Sequence, residues 1–244
     1  MSSMSDDGTF EMVDPNPGVP RGIPGKVRVC EDVYATLDAA AAELFLAAGA
    51  AADQRGAFHL GVSATPLTLR LLRQVLIDPT VRSFPWKQTN VWMTENSGAD
   101  DLRELLLDHS GIASKNLHVL DSGDDRLDQA GEQQFKEVLL AGPASAGLDA
   151  VLLGLDGGWA RLKHAESQDG IYLARDGAVW LHERFVTGAA RLFLLGSGPE
   201  AFKVAAGAAA VARGEPGVGL KSDLVHLAAE RSRWFLGADG ETTL

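Results

Sequence analysis

Asp156, Gly157 and Gly158 directly follow a run of apolar residues, and this position predicts a ligand site. Residues Ala150 to Leu155 are apolar on both alternations, as in a central parallel strand that is covered on both faces. Glycines allow backbone conformations that are closed to other residues. Ligands in open α/β sheets collect at the carboxyl ends of strands, so we expect a site where this strand ends.

A second group of small and polar residues follows an earlier apolar strand. Residues Phe58 to Val62 are typical of a strand, and the turn Gly61 to Pro66 that ends it contains Ser63 and Thr65. Pro66 stands where the first turn of a helix accepts proline, because no helical hydrogen bond is lost there. The segment therefore predicts a strand, a small-residue turn and a helix.

Acidic and histidine side chains supply the other candidates for chemistry. Glu95, which follows a predicted strand, and Asp156 permit a carboxylate-based hydrolase, although acids on different loops are often solvated turn residues. His59 lies on an apolar strand and is interpreted as a core or interface residue. The spacing of the histidines does not suit a metal, so we predict neither a metal site nor a cofactor.

Helices alternate with strands along nearly the whole chain. This order predicts an α/β fold with a mostly parallel, Rossmann-like sheet and helices on both faces. The proline-rich residues 1–25 are interpreted as a disordered tail, and residues 26–244 as one α/β domain. Predicted strands are 26–30, 58–62, 89–93, 117–120, 150–155, 191–196 and 233–236, with a hairpin of 171–174 and 178–182. Predicted helices are 37–52, 100–109, 128–140 and 220–230, with two more that begin at Pro66 and Pro199.

Charge and cysteine content exclude several classes of function. The formal net charge of −11 argues against binding to nucleic acid or to an anionic membrane, since both need a cationic surface. Cys30 is the single cysteine, so no disulfide can form within the chain. We find no secretory signal and no apolar run long enough to span a membrane. We therefore expect a cytoplasmic protein, with its protein partners unknown.

Two segments near the first turn resemble the 6-phosphogluconolactonase family, which is grouped with glucosamine-6-phosphate deaminases and ribose-5-phosphate isomerases. Residues Gly61 to Pro66 are similar to the family's S-G-G-S-T-P loop, which holds the substrate; Thr65 and the proline match. Val62 replaces a glycine, and because a β-branched residue resists positive φ, we expect the loop to change shape. Trp86 to Glu95 is similar to the strand that leads into D-E-R, with Asn96 in place of arginine.

The central strand and a later segment carry the rest of the resemblance, which runs from about residue 26 to 237. The family's L-G-M-G-x-D-G-H-T-A-S turn contains a histidine that serves as general base. Without a gap, Ala160 or Gly158 occupies that position; with a four-residue insertion, His164 does. Glu183 to Thr187 resembles the family's R-I-T-L-T strand, in which Arg184 matches an arginine that contacts phosphate. The lysine of the family's G-x-x-K is not kept.

The resemblance implies hydrolysis of 6-phosphogluconolactone in the pentose phosphate pathway. The altered positions predict that this activity is weak or silent, and that the sugar-phosphate cleft serves a binding or scaffold protein. In the alternative, the protein is an active lactonase with His164 as a relocated base. The resemblance also implies binding of a phosphorylated sugar or sugar lactone by Gly61, Ser63, Thr65, Glu95, Gly157, Gly158 and Arg184, with Asp156 as a second candidate catalytic residue.

Overall fold

The computed structural model describes residues 20–118, 133, 135–137, 147–155, 172–175, 178–215 and 229–238. In chain order the first half contains β1 (Lys26–Cys30), α1 (Val33–Arg55), β2 (Phe58–Val62), α2 (Pro66–Ile77), β3 (Thr89–Met93), α3 (Ala99–His109) and β4 (Leu117–His118). The second half contains β5 (Ala150–Gly154), β6 (Tyr172–Arg175), β7 (Ala178–Leu181), α4 (Glu183–Thr187), β8 (Leu192–Ser197), α5 (Gly198–Ala212) and β9 (Ser232–Gly237).

Seven of these strands form one parallel sheet in the order β1-β9-β8-β5-β2-β3-β4. Every residue of β5 is buried. Because alternate side chains of a strand point to opposite faces, the sheet is covered on both faces at its centre. β6 and β7 pair separately as an antiparallel hairpin. The predicted α/β fold class is confirmed.

Local sequence signals set the helix ends. The Asp32 side chain accepts a hydrogen bond from the Ala35 N–H at 2.8 Å and caps α1, which ends at Gly56 with φ of 73°. Pro66 stands in the first turn of α2, after the cap residue Thr65. Contrary to the expectation from the sequence, one helix in the described part of the chain, α1, is long and apolar enough to cross a membrane by length and composition. It is a core helix here, since Leu37, Leu44 and most of its alanines are buried and it packs against β9, β8 and α2, although Leu46 is exposed.

The two edges of the sheet differ from its centre. β1 forms one edge and exposes Lys26 and Arg28. β4, at the other edge, is two residues long. The apolar core lies between the strands β2, β5, β8 and β9 and the helices that cover them.

One predicted element is wrong. Residues Glu183–Thr187, expected as a strand, form the short helix α4. His182 caps this helix because its Nδ1 accepts a hydrogen bond from the Arg184 N–H at 3.2 Å, and Gly188 ends it. The predicted helices 128–140 and 220–230 and the predicted tail lie largely outside the described residues, and the domain boundaries at 26 and 244 stay predictions.

Candidate functional site

The turn after β2 is buried and is stabilised by hydrogen bonds among its own residues and Thr68. Ser63 is 1% exposed, Ala64 8% and Thr65 7%. The Thr65 side chain and the Thr68 side chain form a reciprocal capping box at the start of α2. The Thr65 N–H donates to Thr68 Oγ1 at 2.9 Å and to the Ser63 carbonyl at 2.8 Å, and the Thr68 hydroxyl donates to that same carbonyl.

These contacts engage two of the N–H groups that a bound anion could use. A helix N-terminus binds anions through backbone N–H groups that lack a partner within the helix. Here the Thr65 N–H has two acceptors, and the Thr68 N–H donates to Thr65 Oγ1 at 3.4 Å. The Thr65 and Thr68 N–H groups are therefore already hydrogen-bonded within the turn.

Gly61 and Val62 lie inside β2 rather than in the turn. Val62 pairs with Met93 on one side and Leu152 on the other, and extended backbone suits a β-branched residue. A Cβ on Gly61 would lie 3.0 Å from side-chain atoms of Leu148 and Val151, so glycine there permits close packing within the core. β2 therefore continues through Val62, and the change of loop shape expected there stays a prediction.

Glu95 joins the turn to the end of the neighbouring strand. Its Oε1 accepts a hydrogen bond from the Ser63 hydroxyl at 2.6 Å. The carboxylate is half-buried, and the residue pairs with Trp180 of β7 in an isolated antiparallel bridge. Ser63 and Glu95, both predicted from the sequence as site residues, are thus brought together.

The hairpin of β6 and β7 is attached to the same strand end. The Asn96 N–H donates to the Val179 carbonyl at 2.9 Å, and Asn96 Oδ1 accepts from the Val179 N–H at 3.2 Å. The Leu181 N–H donates to the Thr94 carbonyl at 2.7 Å. An asparagine side chain both accepts and donates, so Asn96, where the resemblance expects arginine, ties the hairpin to the sheet.

Gly98 brings the loop after β3 against the turn after β2. This glycine has φ of 74°, and a Cβ on it would lie 2.5 Å from the carbonyl oxygen of Ala64. Only glycine adopts this conformation at low cost, and only glycine leaves room for the approach. The two loops are therefore in direct contact beside Glu95.

Arg184 lies on the surface in the first half of α4. Its guanidinium stands over the ring of Phe185, with 4.7 Å from the guanidinium carbon to the ring centroid. Asp156, Gly157, Gly158 and His164 lie outside the described residues, so their place in the site stays a prediction. Within the described ranges, no three His, Cys, Asp or Glu side chains come together as metal ligands.

Trp180 and His182 were missed as site residues by sequence reasoning. Trp180 is half-buried and His182 is 6% exposed. A histidine that directly follows an apolar strand was the available signal.

A separate charged cluster lies at the amino ends of the strands. Asp149, just before β5, pairs with Arg55 at the end of α1 and accepts a hydrogen bond from the His59 N–H at 2.8 Å. Burial lowers the pKa of His59; Asp149 raises it and Arg55 lowers it, both by smaller amounts. His59 Nδ1 accepts from the Trp92 indole N–H at 3.4 Å. His59 is thus a partnered residue at the rim of the core, away from the turn.

Comparison with known proteins shows which solved structures have a similar fold. No protein-family model matches the chain, and no curated protein matches it. Solved structures do: a 6-phosphogluconolactonase from Thermotoga maritima has a TM-score of 0.65 at 15% identity, with 87% of this chain and 99% of that chain covered. One from Plasmodium vivax has a TM-score of 0.67 at 8% identity, with 90% and 92% covered.

An enzyme with a different activity also has a similar fold. A monomeric glucosamine-6-phosphate deaminase of the NagB superfamily has a TM-score of 0.63 at 14% identity, with 86% of this chain and 97% of that chain covered. At such identities the likeness concerns the fold. The order of strands and helices described above is therefore that of these sugar-phosphate enzymes, and the chain has the 6-phosphogluconolactonase fold.

Proposed function

We propose that this protein is a 6-phosphogluconolactonase-like binding or scaffold protein with weak or no lactonase activity. One observation carries the proposal: the polar groups of the turn after β2 are buried and bonded to one another. In the resemblance drawn above, this turn is the loop that holds the substrate. A turn that satisfies its own donors gains little from binding a phosphate.

In the described part of the site, the carboxylate at the turn is already engaged, so no free base for lactone hydrolysis is found there. The reaction requires a base that deprotonates water, donors that stabilise the oxyanion and a clamp on the phosphate. Glu95 is the ionisable side chain at the turn, and it accepts a hydrogen bond from Ser63. Loss of a general base alone costs about 10²- to 10⁴-fold in rate.

Binding still has support from the residues that remain. Arg184 is an exposed cation close in sequence to the hairpin that contacts Glu95, and arginine suits a phosphate. Glu95 is half-buried and suits a sugar hydroxyl. A phosphorylated sugar or a sugar lactone is the ligand we infer.

The alternative is an active 6-phosphogluconolactonase, and the shared fold favours it. In that case Asp156, Gly157 and Gly158 would approach the substrate at the end of β5, and His164 would act as the base. We infer a cytoplasmic protein in either case, because Cys30 is the single cysteine and the chain is acidic.

Hydrolysis of 6-phosphogluconolactone against its spontaneous rate separates the two functions. We expect no acceleration by the wild-type protein, together with measurable binding of 6-phosphogluconate by calorimetry that weakens in Arg184→Ala. Arg82→Ala, which removes an exposed arginine before β3, is the control and should bind normally.

Acceleration that disappears in His164→Ala but persists in the exposed-histidine control His109→Ala would establish the lactonase and overturn the proposal. Circular dichroism of each variant shows whether it is folded. If the protein shows neither acceleration nor binding, both functions are overturned.

A further inference from the structure

Two buried N–H donors beside Glu95 have no partner within the described part of the chain. They belong to Trp180, whose Nε1 is buried, and His182, whose Nε2 is buried in a residue 6% exposed. Native proteins pair nearly all their buried polar groups. Two unsatisfied groups on one short segment therefore need an explanation.

The backbone places the two side chains on one side of the hairpin. Trp180 and His182 are two residues apart in extended chain, and alternate residues of a strand point the same way. Residues that stand opposite each other in an antiparallel bridge share a face. Since Glu95 is opposite Trp180, the Glu95 carboxylate, the indole and the imidazole all lie on that face.

Both unpartnered groups are donors. The indole Nε1–H can only donate. His182 Nδ1 accepts a hydrogen bond from the Arg184 N–H at 3.2 Å, so the ring hydrogen must be on Nε2. What would satisfy the pair is therefore an acceptor oxygen.

We propose that Trp180 and His182 form a donor pair that binds an uncharged oxygen of the ligand: a sugar hydroxyl, a ring oxygen or a lactone carbonyl. The inference rests on the binding function proposed above and specifies which end of the ligand lies here. The Glu95 carboxylate on the same face disfavours a phosphate, while it can accept a hydrogen bond from a neighbouring hydroxyl. The indole also offers an apolar surface to the C–H groups of a sugar.

The Trp180 indole N–H gives a signal in nitrogen–proton NMR spectra, so a change in its hydrogen bonding can be observed directly. The signal is assigned by its absence in Trp180→Phe, and the wild-type protein is titrated with D-glucose 6-phosphate, D-glucose and inorganic phosphate separately. We expect both sugars to move the Trp180 signal and inorganic phosphate to leave it in place.

Variants test the donors directly by calorimetry with D-glucose 6-phosphate. Trp180→Phe and His182→Phe should each weaken binding about tenfold, the cost of one hydrogen bond. His182→Gln keeps an N–H donor and should retain part of the affinity. Trp86→Phe, which changes a buried tryptophan before β3, is the control and should bind as the wild type does.

The outcomes separate this inference from the proposed function. Movement of the Trp180 signal by inorganic phosphate would show an anion site and overturn the inference. Binding of D-glucose 6-phosphate with the Trp180 signal unmoved would also overturn it and leave the binding function intact. No binding of any probe would overturn both. If Trp180→Phe is unfolded by circular dichroism, Trp180→Tyr assigns the signal in its place; if His182→Phe is unfolded, the wild-type titration decides.

Discussion

Thr68 is the residue on which the turn after β2 depends most. It is fully buried, and its one hydroxyl contacts the Thr65 N–H, the Thr65 hydroxyl and the Ser63 carbonyl. The Thr68 side chain takes the place of a ligand, because it forms hydrogen bonds with backbone and hydroxyl groups that would otherwise bind water or an anion. The polar groups of Ser63 and Thr65 thus serve first to stabilise the turn.

Replacing this hydroxyl by a methyl group tests that role. Thr68→Val should lower the free energy of unfolding by about 1–2 kcal/mol, since a buried carbonyl loses its donor and the cap is broken. Urea denaturation measures the change. Thr80→Val is the control: its exposed hydroxyl bonds to Asp78 alone among the described residues, and its loss should stay within about 0.5 kcal/mol. Equal losses in the two variants would contradict this account.

At the residue scale, the sequence predicted which side chains lie near the strand ends but not what they bond to. Ser63 and Glu95 were both expected in the site, yet their hydrogen bond depends on the neighbouring positions of β2 and β3. Trp180 lies opposite Glu95 only because the hairpin docks on Thr94 and Asn96. Contacts of that kind form between segments more than 80 residues apart, and local patterns do not encode them.

Among the elements, the contact between the two loops depends on Gly98. Gly56, at the end of α1, has nearly the same φ, but a Cβ there would meet nothing within 4 Å. Substitutions at Gly56 and Gly98 therefore distinguish the free-energy cost of a left-handed backbone from the cost of a steric clash. Gly56→Ala carries the first cost and Gly98→Ala carries both.

We expect Gly56→Ala to lower the free energy of unfolding by about 1–2 kcal/mol, the cost of a left-handed non-glycine residue. Gly98→Ala should lower it further, because the new Cβ meets the Ala64 carbonyl and must separate the loops. Urea unfolding of both variants gives the difference. If Gly98→Ala costs no more than Gly56→Ala, the loops are not held in contact.

Strands and helix starts were the elements that sequence patterns predicted well. β2 and β3 have the predicted bounds, and α2 begins at Pro66 as expected. The strand expected at Glu183–Thr187 came from the resemblance to the family's R-I-T-L-T segment, and the structure has a helix there. This helix depends on the His182 cap and on the packing of Phe185 against Phe135, which are tertiary facts.

For the whole molecule, the charged cluster at the amino ends of the strands links stability to pH. The pKa of His59 is lowered from its ordinary 6.5, chiefly because burial disfavours the charged ring; Asp149 opposes this and Arg55 adds to it. The unfolded chain therefore takes up this proton at a higher pH than the folded chain does. The contribution to stability is fully present above the unfolded pKa and falls as the pH drops below it.

We expect the wild-type protein to lose more unfolding free energy than His59→Asn between about pH 7.5 and pH 5.5, because only the wild type carries this titration. Denaturation in urea at both pH values measures it. His109→Asn, which changes an exposed histidine at the end of α3, should follow the wild type. The same pH dependence in all three proteins would exclude His59 as the cause.

The order of the strands was beyond sequence reasoning, although the fold class was not. Alternation of helices and strands selects a parallel sheet covered on both faces. It does not say that β5 and β8 lie side by side at the centre, or that β1 lies beside β9. Those pairings depend on contacts across almost the entire chain.

The two edges of the sheet bear on what happens when copies of the molecule meet. An edge strand presents unpaired backbone groups on which another chain can add, and long apolar edges lead to fibres. β1 carries the exposed charges of Lys26 and Arg28, and β4 is two residues long, so neither edge is a good template. The net charge of −11 adds repulsion between copies at longer range. The sheet is thereby protected against growing from one molecule into the next.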